Sequence, residues 1–183
     1  MRVFVWRTLR RLGAVYIQQS VCLLPDRAAL VKAVARMAAK VRGQGGEAQI
    51  VRITVREPAD HQGLVRRQQA DRDVEYAEVV ERVPQFLAEI EVETARGRAT
   101  YAEVEESEAD LDRFRRWLAG IAARDYFNAP GGAAARDAVA RCAAALETFE
   151  AAAVRADTAT GEAPAGLPAP RRHLRAVDSE TEI

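Results

Sequence analysis

Arginine is the residue type through which this sequence could act on a partner. Arg2, Arg7, Arg10 and Arg11 crowd the first eleven residues, and Arg36 follows on the next predicted helix. A guanidinium holds five donors in a fixed fork and keeps its charge throughout the physiological pH range, so such a cluster suits contact with phosphates. Contact of that kind gives affinity without base specificity. From charge spacing alone, a solvated helix face is the plainer reading. Other reactive side chains are scattered. Cys22 and Cys142 form no C-x-x-C pair, and His61 and His173 are equally isolated, so we expect no metal and no cofactor. A Ser/His/Asp set, a Gly-rich phosphate loop and H-E-x-x-H are all missing, so no catalytic residue is named and the chain reads as non-enzymatic. Cys22 could act as a redox thiol, but a lone Cys in a strand is more often a small buried hydrophobe. Trp6, beside an apolar stripe, is assigned to the core. The acidic run from Glu103 to Asp112 fits capping and solvation near a helix start.

The chain has 183 residues, 27 Lys/Arg and 27 Asp/Glu, so its net charge is zero. The signs are nevertheless segregated. Residues 1–56 hold 11 Lys/Arg against 2 Asp/Glu, a net of +9, while residues 57–156 hold 13 against 20, a net of −7. A clustered positive field can collect phosphates even when the whole molecule is neutral. Hydrophobic residues make up 49%, much of it Ala, and aromatics only 6%, which favours packed helices over a β-sandwich. Charges interrupt every long apolar stretch, and Arg7, Arg10 and Arg11 stand where a signal peptide needs its apolar run, so a soluble, cytoplasmic chain with no membrane partner is expected.

Val5, Leu9 and Leu12 recur at i, i+4, i+7 and predict an amphipathic helix stopped by Gly13. From Ala14 to Leu24 the period falls to two, predicting one strand ended by Pro25, with Gln18, Gln19 and Ser20 as polar members at an edge. Asp26 is the predicted N-cap of a helix carrying Leu30, Val34, Met37 and Val41, and Gly43 to Gly46 break it. A second strand is predicted from Gln49 to Val55. Beyond Pro58 a long helical stretch should reach Arg96, kinked or divided at Pro84 and closed by Gly97. Thr100 with Glu103 has the spacing of a capping box, and Ser107 with Asp110 is read as starting a helix through Leu111, Phe114, Leu118 and Ile121. After Asn128 to Gly132, a last helix carries Val139, Cys142, Leu146, Phe149 and Ala153. The tail from Asp157 shows no stripe and is expected to be disordered.

The string from Arg2 to Pro25, RVFVWRTLRRLGAVYIQQSVCLLP, closely resembles the R-x-x-x-W-R-x-L-R-R-L-G-A-x-x-x-Q-x-S-V-x-x-L-P signature of the N-terminal domain of ChrB-type proteins. Gly45 to Ala48, Asp73-Val74-Glu75-Tyr76-Ala77-Glu78, the segment Glu105 to Asp112 with Arg115 to Leu118, and Arg124-Asp125-Tyr126-Phe127 look like that family in the same order. The likeness covers about residues 2–155. It implies a part in chromate-responsive DNA binding, because the family includes regulators of chromate-efflux operons. Set against the family's pattern, the chain opens on a helix where a strand is expected before Arg2, and it stops short of the second, C-terminal domain. The helix–Gly–strand block also looks distantly like the middle domain of PaaX-type repressors and the ferredoxin fold of small CRISPR-associated nucleases. Those nucleases keep a catalytic Asp on the strand missing here, so nuclease activity is not carried over.

The expected fold is α+β: a partial ferredoxin-like α-β-α-β unit at 1–56, an antiparallel helical bundle at 57–156, and the tail at 157–183. The expected function is a chromate-resistance regulatory module that associates with duplex DNA through Arg2, Arg7, Arg10, Arg11 and Arg36. The alternative is a non-catalytic interaction module, forming a homo-oligomer or pairing with a separate C-terminal-domain protein through its helical stripes. Chromate reduction through the cysteines ranks third.

Overall fold

The computed structural model describes residues 1–18, 20–96 and 100–161. Five helices and one small antiparallel sheet make an α+β chain that is mostly helical. The order is α1 (Arg2–Arg11), β1 (Val15–Gln18), β2 (Val21–Leu23), α2 (Ala28–Gly43), α3 (Pro58–Ala95), α4 (Tyr101–Ala122) and α5 (Gly131–Gly161).

Glycine ends both short helices, as expected. Gly13 and Gly45 take φ of +72° and +76°. In each case the next amide turns back five residues, Ala14 to the Leu9 carbonyl and Gly46 to the Val41 carbonyl, which satisfies acceptors that the last turn would orphan. Gly13 also has no room for a side chain. A Cβ there would lie 2.9 Å from Nη1 of Arg72 and 3.0 Å from Cβ and the carbonyl oxygen of Arg124. Gly13→Ala therefore combines left-handed strain with a clash, and should cost about 2–4 kcal/mol in urea unfolding. A loss below about 0.5 kcal/mol would show that this junction is loose.

Four expectations about the N-terminal part need correction. The segment 14–24 is a hairpin, not one strand: Val15 pairs with Leu23 and Tyr16 with Cys22, with a register shift before Gln18–Val21. The polar residues Gln18 and Ser20 flank its turn, and Gln19 lies outside the described residues. Asp26 is not the cap of α2, whose N-cap is Arg27 without a side-chain bond. Asp26 instead pairs with Arg52 at 2.8 Å. Residues 49–55 form no strand, so the order here is α-β-β-α and a ferredoxin-like sheet is not what these elements build. Trp6 is not a core residue: it is 48% exposed, and the Arg10 guanidinium lies 5.3 Å from its ring centre. A small cluster of Leu9, Ala14 and Met37, flanked by Phe4, Val5, Tyr16, Cys22, Leu24 and Val34, holds the part together.

α3, α4 and α5 supply the larger core. Val79, Val83, Phe86 and Ile90 of α3 meet Leu111 and Ile121 of α4 and Val139, Cys142, Leu146 and Phe149 of α5. Phe86 and Phe114 pack edge to face, 5.9 Å between ring centres. Pro84 does not divide α3, which runs unbroken over 38 residues. α4 starts earlier than expected. The Thr100–Glu103 capping box is present, with Thr100 N–H donating to the Glu103 carboxylate, so Ser107 falls inside the helix. α5 extends through Gly161, so residues 157–161 are helical and not a disordered tail, while 162–183, with His173, and the breaker Gly97 lie outside the described residues.

Candidate nucleic-acid interface

Periodicity decides which side of α1 faces out. Leu9 is buried and Phe4, Val5 and Thr8 are half-buried, so Arg2, Trp6, Arg7, Arg10 and Arg11 are left on the exposed side. Arg36 is exposed on α2. None of the five predicted arginines forms an ion pair among the described residues, so their charge is not cancelled at close range. α2 adds cations that the sequence reading passed over. Lys32, Arg36 and Lys40 recur every four residues, all exposed, and the Lys40 ammonium sits 4.3 Å from the centre of the Phe4 ring on α1. That contact joins the basic row of α2 to α1. The repeat at i, i+4, i+8 was the signal that could have found it.

Arg10 stands apart. It lines, with Trp6 and Tyr16, a groove of about 400 Å³ whose other wall carries Arg67, Asp71, Arg72, Glu75 and Glu78 of α3. Glu75 is paired with Arg72 and Arg124, so Asp71 and Glu78 are the carboxylates that face Arg10. With its guanidinium also over the Trp6 ring, Arg10 is the weakest of the five as a phosphate ligand.

The orientation of α1 is set from the bundle. Tyr126, in the α4–α5 connection, donates its hydroxyl to the Leu12 carbonyl at the end of α1 (2.8 Å). Arg27 donates to the Tyr126 carbonyl and lies over its ring at 4.8 Å. The same connection is held from α3. Gln68 donates to the Arg124 carbonyl (2.7 Å), Gln69 to the Phe127 carbonyl (2.9 Å), and Tyr76 to the Asp125 carboxylate (3.2 Å). Asp73 accepts the Gly131 amide at 2.7 Å, and Asp125 accepts that of Ala129. Glu75 is the hub, with Oε2 3.0 Å from both Arg72 Nε and Arg124 Nη2. Arg72 Nη2 donates to Glu75 Oε1 at 3.4 Å, while its buried Nε, though close to Glu75, and its Nη1 find no hydrogen-bond acceptor among the described residues.

Burial tunes the acid groups in these contacts. Burial, helped by the Asp125 carboxylate, pushes the Tyr76 hydroxyl above its ordinary 10.0, and burial does the same for Tyr126 and Tyr16. Burial also raises the thiols of Cys22 and Cys142 above 9.0, so each stays protonated and weakly nucleophilic at neutral pH. A raised pKa means that the folded chain keeps a proton the unfolded chain releases. Stability should therefore be constant through neutral pH and fall above about pH 9, more steeply past 10. Urea midpoints at pH 7, 9 and 10.5 in reductant check this. Tyr76→Phe should flatten the fall, and a pH-independent midpoint would contradict it.

Among the described residues no group of three or more His, Cys, Asp or Glu is placed to hold a metal ion, and no helix is long and apolar enough to cross a membrane. What the geometry defines is an α+β chain whose exposed, unpaired cations sit on two neighbouring helices clasped to a three-helix bundle. A family model described as "Protein ChrB, N-terminal" matches residues 2–160, and the chain belongs to that family. Membership ties it to chromate resistance. No curated protein and no solved structure matches the chain.

Proposed function

We propose that the chain is a regulatory module of chromate resistance that associates with duplex DNA through the exposed cations of α1 and α2 and regulates transcription in the cytoplasm. The observation that carries this reading is the set of exposed, unpaired Arg2, Arg7, Arg11 and Arg36, joined by Lys32 and Lys40 on adjoining helices. Each phosphate they neutralise releases counterions, which supplies affinity. Trp6, stacked by Arg10 and half exposed, adds a flat apolar surface beside them. The module performs no catalysis in this reading.

A gel-shift comparison tests the proposal. Duplex from upstream of the chain's own reading frame should be retarded at lower protein concentration than a shuffled duplex of equal length, and chromate should change the ratio. Equal retardation of both, with or without chromate, would reduce the role to non-specific binding. No retardation at low salt would end it.

Self-association through the helical stripes is less well supported. Those stripes are buried against one another within the bundle, so they offer no free seam.

A further inference from the structure

Exposed apolar side chains are unevenly distributed. Of thirteen large hydrophobics exposed among the described residues, nine lie in residues 1–56: Met1, Val3, Trp6, Ile17, Val21, Val31, Ile50, Val51 and Ile53. Three of these stand on one short stretch, Gln49-Ile50-Val51-Arg52-Ile53-Thr54-Val55, where Val51 is 75% and Ile53 57% exposed. Its composition is that of a strand, β-branched at five of seven positions, yet it carries no regular structure. Residues 47–56 make no backbone–backbone hydrogen bond among the described residues. The stretch is anchored by side chains instead. Arg42 donates twice to the Ala48 carbonyl, at 3.0 and 2.6 Å, and Arg52 is held by Asp26. A β-branched segment that is anchored, apolar and unpaired is a template for strand addition.

We infer that residues 49–55 are a dimerisation edge, pairing antiparallel with the same residues of a second copy. The sequence is self-complementary about Ile53. In an antiparallel pair directly opposed residues share a face, so a two-fold axis through Ile53 sets Ile53 against itself and Val51 against Val55 of the second copy. Those residues make one continuous apolar face. On the other face Arg52 meets Thr54, and Ile50 lies along the stem of Arg56. Centring on Arg52 would oppose two guanidiniums, so the Ile53 register is preferred. A two-fold pairing is closed, which stops the open edge from building longer assemblies.

The size of the contact fixes its strength. Ile50, Val51 and Ile53 bring roughly 60 to 120 Å² each, or about 200–350 Å² per copy. That is well below the ~800 Å² per partner of a standard stable interface, so the dimer dissociates on dilution. The two basic parts repel each other as well, and salt therefore strengthens the pair while it weakens any hold on DNA.

Sedimentation of the full chain without nucleic acid, in a series from about 1 to 500 µM, tests the inference independently of the DNA-binding reading. A monomer–dimer equilibrium is expected, tightening with salt. Ile53→Lys should weaken it at least about tenfold, with no change in the monomer's melting temperature, because Ile53 is exposed. Register is read by cross-linking in a Cys22→Ser background. Ile53→Cys should oxidise readily to a covalent dimer, while Val51→Cys, opposed to Val55, should not. A strict monomer at every concentration would overturn the inference, even if a strand from a different protein is found to pair there. A dimer indifferent to Ile53→Lys would overturn it as well.

Discussion

Glu75→Gln should lower stability by about 3–5 kcal/mol, the largest loss expected from any single polar substitution in this chain. The Arg72 side chain is only 7% exposed, and its counter-charge is Glu75. Arg124, 21% exposed, reaches the same Glu75 oxygen at 3.0 Å. Removing that one negative charge leaves two guanidiniums facing each other with little water to screen them. Gln keeps the size and one carbonyl acceptor, so packing is conserved and the loss reports charge. At about 2–4 °C per kcal/mol for a chain of this size, the melting temperature should fall by about 6–20 °C. Glu78→Gln, exposed on the same helix, is the control and should stay within about 0.5 kcal/mol. A fall below about 2 °C for Glu75→Gln would show that Glu75 is not the hub of the clasp.

The triple variant Arg7→Gln, Arg11→Gln, Arg36→Gln should leave the fold intact and remove most of the DNA affinity. All three side chains are exposed and free of ion pairs among the described residues, so the thermal midpoint should move little. Each lost phosphate contact removes about 0.9 from the slope of log K against log salt, so the variant's slope should be shallower by about 2.7. Charge-assisted contacts are worth about 1.5–3 kcal/mol apiece where fully formed, which puts the loss of affinity at about three orders of magnitude or more in low salt. Arg10→Gln should do less, because Arg10 lies over the Trp6 ring and faces Asp71 and Glu78 across its groove. Equal effects of Arg10 and Arg7 would mean that the groove, and not the outer face of α1, meets the nucleic acid.

Helices were legible in the sequence because their signals are local. Gly13 and Gly45 stop α1 and α2 by backbone conformation, and Thr100 with Glu103 closes a box within four residues. Much of the bundle core, Leu111 and Ile121 of α4 with Val139, Cys142, Leu146, Phe149 and Ala153 of α5, follows from spacing alone. The strands were less legible, because pairing is not local. Residues 49–55 have strand composition but no partner among the described residues, and 14–24 fold back at a polar turn where alternation suggested continuity. Trp6 was misplaced for a related reason. Its ring is served by Arg10 one turn away, a contact that spacing permits but does not demand.

The candidate site was legible as a list of arginines but not as an arrangement. Sequence could not tell that Arg10 turns toward acidic α3, or that Lys40 packs on Phe4 and joins α2 to α1. Nor did spacing show why the Asp73–Glu78 and Arg124–Phe127 blocks accompany the first one. In the structure they face each other, and through Tyr126 they grip the end of α1. The segments of this chain that resemble the family therefore include the clasp that holds the end of α1.

The salt dependence of binding between the intact chain and duplex DNA tests the central claim most directly. With about four to six phosphate contacts, log K against log salt should be linear with a slope of about −3.6 to −5.4. A slope near zero, or no binding at low salt, would contradict the account.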